Sequence, residues 1–169
     1  MPIETTRQQQ LQCADLVLRA LVARIPFIQF MQISFERRGN ELTALFPYHE
    51  QFIGNPNPAA LHGGATAGLL EITAIVQLTW ATLQPQIEAL TVDPAQLQAE
   101  TLAQSVALPK TIDISVDYLS RGQPQDAYAR AKVSRSGRRY ASVLVEAWQD
   151  DVQRPFAHAT GHFLMPAVP

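Results

Sequence analysis

From about Gly64 to Leu83 the chain carries Leu69, Leu70, Ile72, Ile75, Val76, Leu78 and Trp80 at positions spread around the whole helical wheel. A helix that is apolar on nearly every side cannot lie on a surface, so the rest of the chain must enclose it. Blocks of strand-like sequence stand before and after this segment, and only a sheet that curls over the helix hides all its sides. The expected class is therefore α+β, an antiparallel sheet wrapped around a long central helix. The pattern by itself also allows an ordinary two-layer α+β sandwich.

The flanking sequence supplies the pieces. Leu11, Ala14, Leu18, Leu21, Val22 and Ile25 recur at spacings of three, four and seven, which predicts a helix over about 5–24 that Pro26 ends. A hairpin is expected from Met31 to Arg37 and from Glu41 to Pro47, turned by Gly39-Asn40. Gly54, Pro56 and Pro58 mark 50–62 as an exposed, stiffened loop. Residues 84–109, rich in Gln, Ala and Leu and interrupted by Pro85, Pro94 and Pro109, read as an insertion with a short helix over about 95–106. In Thr111–Tyr118 the apolar Ile112, Ile114, Val116 and Tyr118 alternate with polar residues, the period of a strand with one covered face. Three further strands are expected over 126–135, 139–149 and 156–165. The 169 residues thus form one domain, with an N-terminal helical segment (1–27) and an insertion (84–109).

Composition narrows the function. A net charge of −2 provides no overall basic field, so nucleic acid is not an expected partner. One cysteine, Cys13, excludes an intrachain disulfide framework and a thiolate metal cage, which favours a reducing compartment. The opening Met-Pro-Ile-Glu-Thr-Thr lacks the basic and apolar run of a secretion signal. The apolar stretches are interrupted well short of the roughly 18 residues of a membrane span. The expectation is a soluble, cytoplasmic protein.

Two features can carry chemistry. Leu61-His62-Gly63-Gly64 delivers two glycines to the start of the central helix. There the first N–H groups have no intrahelical partner and sit at the positive end of the helix dipole. Aimed at a carbonyl, they make an oxyanion hole; the same Gly-Gly also suits a tight turn. Glu71 is the only acid between Glu50 and Glu88, inside a helix that otherwise avoids charge. Helical spacing groups Gly64, Gly68, Glu71, Ile75 and Leu78, so the carboxylate looks out past two residues without side chains.

Gly63 and Glu71 lie eight residues apart, roughly 12 Å along a helix. An oxyanion donor and a base serving one carbonyl must each approach within about 3 Å. The spacing therefore predicts that Gly63 of one chain works with Glu71 of another across a two-fold axis, a homodimer that can pair again into a tetramer. Arg135, Arg138 and Arg139 around one turn, with Arg121 after another strand, suit the phosphates of a nucleotide-bearing substrate. His158 and His162 share a strand face about 13 Å apart, too far to hold one metal.

The run from Gly54-Asn55 through His62-Gly63-Gly64 to Glu71 resembles the hotdog-fold acyl-CoA thioesterases of the PaaI type, in which Asp or Glu follows His-Gly-Gly nine residues after the histidine. The resemblance continues in Pro109–Leu119, in Gly137-Arg138-Arg139 and in Ala157–Phe163. It implies hydrolysis of an acyl-CoA to acid and CoA without a cofactor or metal. Glu71 would be the nucleophile or general base, Gly63 the backbone oxyanion donor and His62 the residue that orients the loop or the substrate. The family's upstream Asn or Gln falls six residues before the histidine, where Pro56 stands; Asn55 and Asn57 flank it, and Asn55, after Gly54, is the better match. Ile75 replaces a polar residue found four positions after the carboxylate in some relatives, which implies an apolar acyl group. Two other readings are a binding module that holds acyl-CoA without cleaving it, and a hotdog dehydratase or hydratase, whose acid lies further downstream of its histidine.

Overall fold

The computed structural model describes residues 7–167. A six-stranded antiparallel sheet in the order β1-β2-β6-β7-β8-β5 packs against the long helix α3 (Gly63–Glu88). The strands are β1 (Ser34–Arg38), β2 (Glu41–Phe46), β5 (Lys110–Tyr118), β6 (Ala127–Ser136), β7 (Tyr140–Trp148) and β8 (Ala157–Leu164). Alternation puts Ala141, Val143, Val145 and Ala147 of β7 and Ala157, Ala159 and Phe163 of β8 inward. They meet Leu69, Leu70, Ile72, Val76, Leu78 and Trp80 of α3, which makes α3 the centre of the core. The small alanines of β6–β8 leave room for the helix against the sheet.

α1 (Arg7–Ala23) closes the other side of α3 through Cys13, Val17, Leu18 and Leu21, and residues 5 and 6 of the expected helix lie outside the described residues. Pro26 does more than end it. Its fixed φ suits the first position of a helix, so it opens α2 (Pro26–Met31), capped by Gln32 in the left-handed region at φ 55. The strand expected from Met31 therefore starts at Ser34, after Met31 and Ile33 have gone into the core.

Residues 50–62 form structure of their own rather than an open loop. A 3-10 turn (Glu50–Phe52) leads into β3 (Ile53–Pro56) and β4 (Ala59–Leu61), a small separate hairpin with a cis Asn57–Pro58 bond at its tip. Its backbone bonds are satisfied by Ile53↔Leu61 pairing and by the Leu61 N–H donating to the Gly122 carbonyl at 3.0 Å. Proline is tolerated because this hairpin has no central strand.

α3 also runs on through Pro85 to Glu88, beyond the expected end at Leu83, because Leu83 and Ile87 are buried and anchor the last turns. The carbonyl deprived of its donor belongs to Ala81, an exposed residue that water can serve. The insertion is thus shorter than 84–109. It holds a 3-10 turn (Pro94–Gln96) and α4 (Ala99–Gln104), not one helix over 95–106, and it packs on α1. The Arg24 guanidinium ties it down by donating to the carbonyls of Ala103 and Val106. Against the expectation from interrupted apolar runs, α3 has the length and mean hydropathy (1.3) of a membrane span; 67% of that window is buried inside the fold, the mark of a core helix.

β5 departs from simple alternation. A bulge between Thr111 and Asp113 leaves Ile112 outside the register, and Ile112 and Tyr118 are about half exposed rather than covered. β5, nine residues long, is one of the sheet's two edge strands, the other being the five-residue β1.

Candidate active site

The start of α3 is fixed by its own N-cap. His62 is extended, at φ −64 and ψ 131, and its Nδ1 accepts from the Gly64 N–H at 2.9 Å. Its backbone N–H donates to the Phe52 carbonyl at 2.7 Å, and its carbonyl accepts from the Thr66 N–H at 3.0 Å. The histidine is thus held on both sides and spends its ring on the helix end. The Gly63 N–H, by contrast, has no acceptor among the described residues. Tyr118 of β5 secures this residue from the other side, its hydroxyl donating to the Gly63 carbonyl at 2.7 Å. A Cβ on Gly63 would lie 3.1 Å from that hydroxyl, so the close approach favours glycine.

Two turns further along α3, Glu71 is half-buried, and its Oε1 accepts from the Thr111 hydroxyl at 2.5 Å. This contact exists because of the bulge in β5. Thr111 pairs with the inward-facing Phe163, whereas Asp113 pairs with the outward-facing His162. Uninterrupted alternation would place Thr111 on the outer face with Asp113. Thr111 and Tyr118 were both absent from the candidate residues. The polar-apolar period assigns Thr111 to the solvent side, and its only signal is a polar residue at a strand's irregular start.

Gly63 and Glu71 do not meet within the chain. They are held by opposite ends of β5, at Tyr118 and Thr111, seven residues or roughly 23 Å apart on an extended strand. Of the helix face proposed to frame the carboxylate, Gly64, Glu71 and Ile75 are wholly or partly exposed, but Gly68 and Leu78 are buried. The expected opening over Gly68 is filled. A Cβ there would lie 3.0 Å from the Phe27 ring of α2.

Asn55 and Asn57 both sit at the tip of the β3–β4 hairpin. The Asn55 carboxamide accepts from the Asn57 N–H at 3.0 Å, a local turn contact. The arginines divide into two groups. Arg135, Arg138 and Arg139 line a cleft of about 560 Å³ with Tyr140, Ser142 and His162, at the end of the sheet where Tyr140 and Lys110 flank Leu164. Arg121 lies beyond Tyr118 at the other end, in a cleft of about 190 Å³ with Asp150, Asp151 and Arg154. His158 and His162 face outward and pair with Asp117 and Asp113, each at 2.9 Å, and no group of three metal-binding side chains occurs among the described residues.

Residues 54–164 match the family described as "Acyl-CoA thioesterase N-terminal domain". The curated medium/long-chain acyl-CoA thioesterase YigI of Escherichia coli is 28% identical over 155 residues, covering 91% of this chain and 94% of that protein. A crystal structure of a Chromobacterium violaceum protein is 31% identical, with TM-score 0.62, and the match covers 94% of this chain and 99% of that one. The BH2602 protein of Bacillus halodurans, crystallised with CoA, shares the fold at 17% identity and TM-score 0.63, with 99% of each chain covered.

Proposed function

The chain belongs to the hotdog-fold thioesterase family and is an acyl-CoA thioester hydrolase, and we propose that Glu71 of one protomer and the Gly63 N–H of its partner act together on a medium- or long-chain acyl-CoA. The hydrogen bond from Thr111 to Glu71 carries this reading. It holds one oxygen of a lone carboxylate and leaves the other to act, either on the thioester carbon directly or on a water that attacks it. Charge developing on the carbonyl oxygen is taken up by the free Gly63 N–H at the helix's positive end. Collapse of the tetrahedral species breaks the C–S bond and releases CoA as thiolate, which takes a proton from the attacking water or from solvent. On the direct route the acyl group stays on Glu71 as an anhydride until a water hydrolyses it to free acid and restores the carboxylate.

β5 supports the two-fold arrangement. Its open edge is long and carries exposed Ile112 and Tyr118, with exposed Leu119 just beyond it, the kind of edge that pairs with another strand. Antiparallel pairing of two copies centred between Ile114 and Ser115 would set Thr111 and Glu71 of one chain beside Tyr118 and Gly63 of the other. It would also bring the partner's Arg121 to the end of the sheet that holds Arg135, Arg138 and Arg139, so the two arginine groups would converge on the phosphates of one CoA. His62 orients the helix start, and Gly64 and Ile75 border the carboxylate. Asn55 and Asn57 are proposed as loop contacts to the substrate, and a cytoplasmic location is proposed, supported by the single free cysteine. The chain-length class is carried over from YigI. Glu71→Gln should abolish CoA release from a panel of acyl-CoAs while the protein stays folded; unchanged rates would reject the assignment, and tight acyl-CoA binding by a wild-type protein that releases no thiol would mark a binding module.

A further inference from the structure

α2 is six residues long, with Ile28 and Met31 buried, yet it turns two phenylalanines outward. Phe27 is 43% exposed and Phe30 65% exposed, their rings stacked at 6.3 Å, and Phe30 meets the edge of Phe52 at 6.3 Å. Exposing this much aromatic surface is unfavourable unless something covers it. The position of the pair identifies the occupant. Phe27 rests on Gly68, one turn before Glu71 and about 60° around the helix from it. The partly exposed strip of α3 formed by Gly64, Ala67, Glu71 and Ile75 therefore has two different flanks. β5, with Thr111 and Tyr118, stands on one side, and the α2 aromatics stand on the other.

We infer that Phe27 and Phe30 form the apolar wall on which the acyl chain of the thioester lies, and that they set the enzyme's preference for chain length. The inference rests on the assignment of Glu71 as the catalytic carboxylate. A thioester carbon at Glu71 leaves the first methylenes within one helical turn of the Phe27 ring, and each further methylene adds contact along the stacked pair. Short acyl groups end before reaching it. The glycine at 68 is part of the same device, because it lets Phe27 settle against the helix backbone instead of being pushed outward. The dense packing of Ile28 and Met31 keeps α2 in place, so the wall is formed before substrate arrives.

The test is the chain-length profile of Phe27→Ala, Phe30→Ala and the conservative Phe27→Leu, measured as kcat/KM from acetyl-CoA to palmitoyl-CoA beside sedimentation of each variant. Loss of the aromatic contact to the acyl chain should lower kcat/KM for decanoyl-CoA and longer substrates by about tenfold or more, mainly through KM, and leave acetyl-CoA within about twofold. Phe27→Leu should keep most of the long-chain activity, and all variants should sediment like the wild type. If Phe27→Ala does not fold, the more exposed Phe30 carries the test. An equal loss at every length, or dissociation of the protein, would assign the pair to folding or to contact between copies and overturn the inference, as would an unchanged profile. An active Glu71→Gln variant would overturn the catalytic assignment instead; an inactive one combined with a flat Phe27→Ala profile would overturn this inference alone.

Discussion

Thr111→Val removes the one side-chain hydrogen bond that positions Glu71 among the described residues and changes little else. Valine keeps the β-branched shape that suits a strand and replaces only the hydroxyl. The bond lost is short, 2.5 Å, and its acceptor is a carboxylate, so its worth lies in the range of about 1.5–3 kcal/mol for a hydrogen bond to a charged group. Because the pair is only partly buried, the lower part of that range applies, about 1.5–2 kcal/mol. At about 1.4 kcal/mol per factor of ten, a carboxylate left to find its orientation at each turnover should slow kcat about tenfold to thirtyfold. Release of CoA thiol, followed with a chromogenic disulfide over a range of substrate concentrations, separates kcat from KM. KM should stay within about twofold, since Thr111 acts through Glu71 rather than on the bulk of the substrate, and Thr111→Ser should recover most of the rate. A Thr111→Val enzyme with wild-type kcat would refute the positioning argument.

Other perturbations test the supports of the site. A Cβ at Gly54 would lie 2.8 Å from the His62 Cα, a backbone atom that cannot swing away, so Gly54→Ala should cost about 1–3 kcal/mol and lower Tm in thermal denaturation by several degrees. An unchanged Tm would mean the hairpin moves freely relative to the N-cap. Cys13 is fully buried, and burial, followed by the nearby Asp93 charge, raises its thiol above the ordinary range. Raised in the folded state, this group contributes stability that is complete below the unfolded-state pKa and is lost as pH climbs past it. Iodoacetamide labelling near pH 8.5, read by mass spectrometry, should therefore track global unfolding; fast labelling of the native protein would contradict it.

The long central helix is legible because its apolar residues leave no polar face, and the strand over Thr111–Tyr118 because apolar and polar residues alternate along it. Signals tied to one residue were read less well. Pro26 marks the end of the first helix, as its position predicts, but it also starts α2, and the helix expected to stop at Leu83 is carried on through Pro85 by the burial of Ile87. Gly54, Pro56 and Pro58 suggested a loop where backbone pairing with Ala59–Leu61 builds a hairpin. At the site, Glu71 and Gly63 stand out locally as a charge and a glycine where neither is expected. Their partners do not, because Thr111 reaches Glu71 only through a bulge and Phe27 reaches Gly68 only through the tertiary fold. An alternating pattern has no way to record one extra residue in a strand.

Complementation between two inactive variants tests shared sites most directly. Glu71→Gln removes the carboxylate. Gly63→Pro removes the unpaired N–H at the first helical position, where proline is tolerated and the preceding His62 already has an extended backbone, while the Tyr118 side chain, 3.1 Å from the added Cβ, shifts to make room. Each homodimer should be inactive. Random exchange of subunits makes about half the dimers mixed, each with one complete site of two, so the mixture should regain about a quarter of wild-type activity. A mixture that stays inactive while mass spectrometry shows mixed dimers would contradict the sharing of one site between Glu71 of one chain and Gly63 of the other.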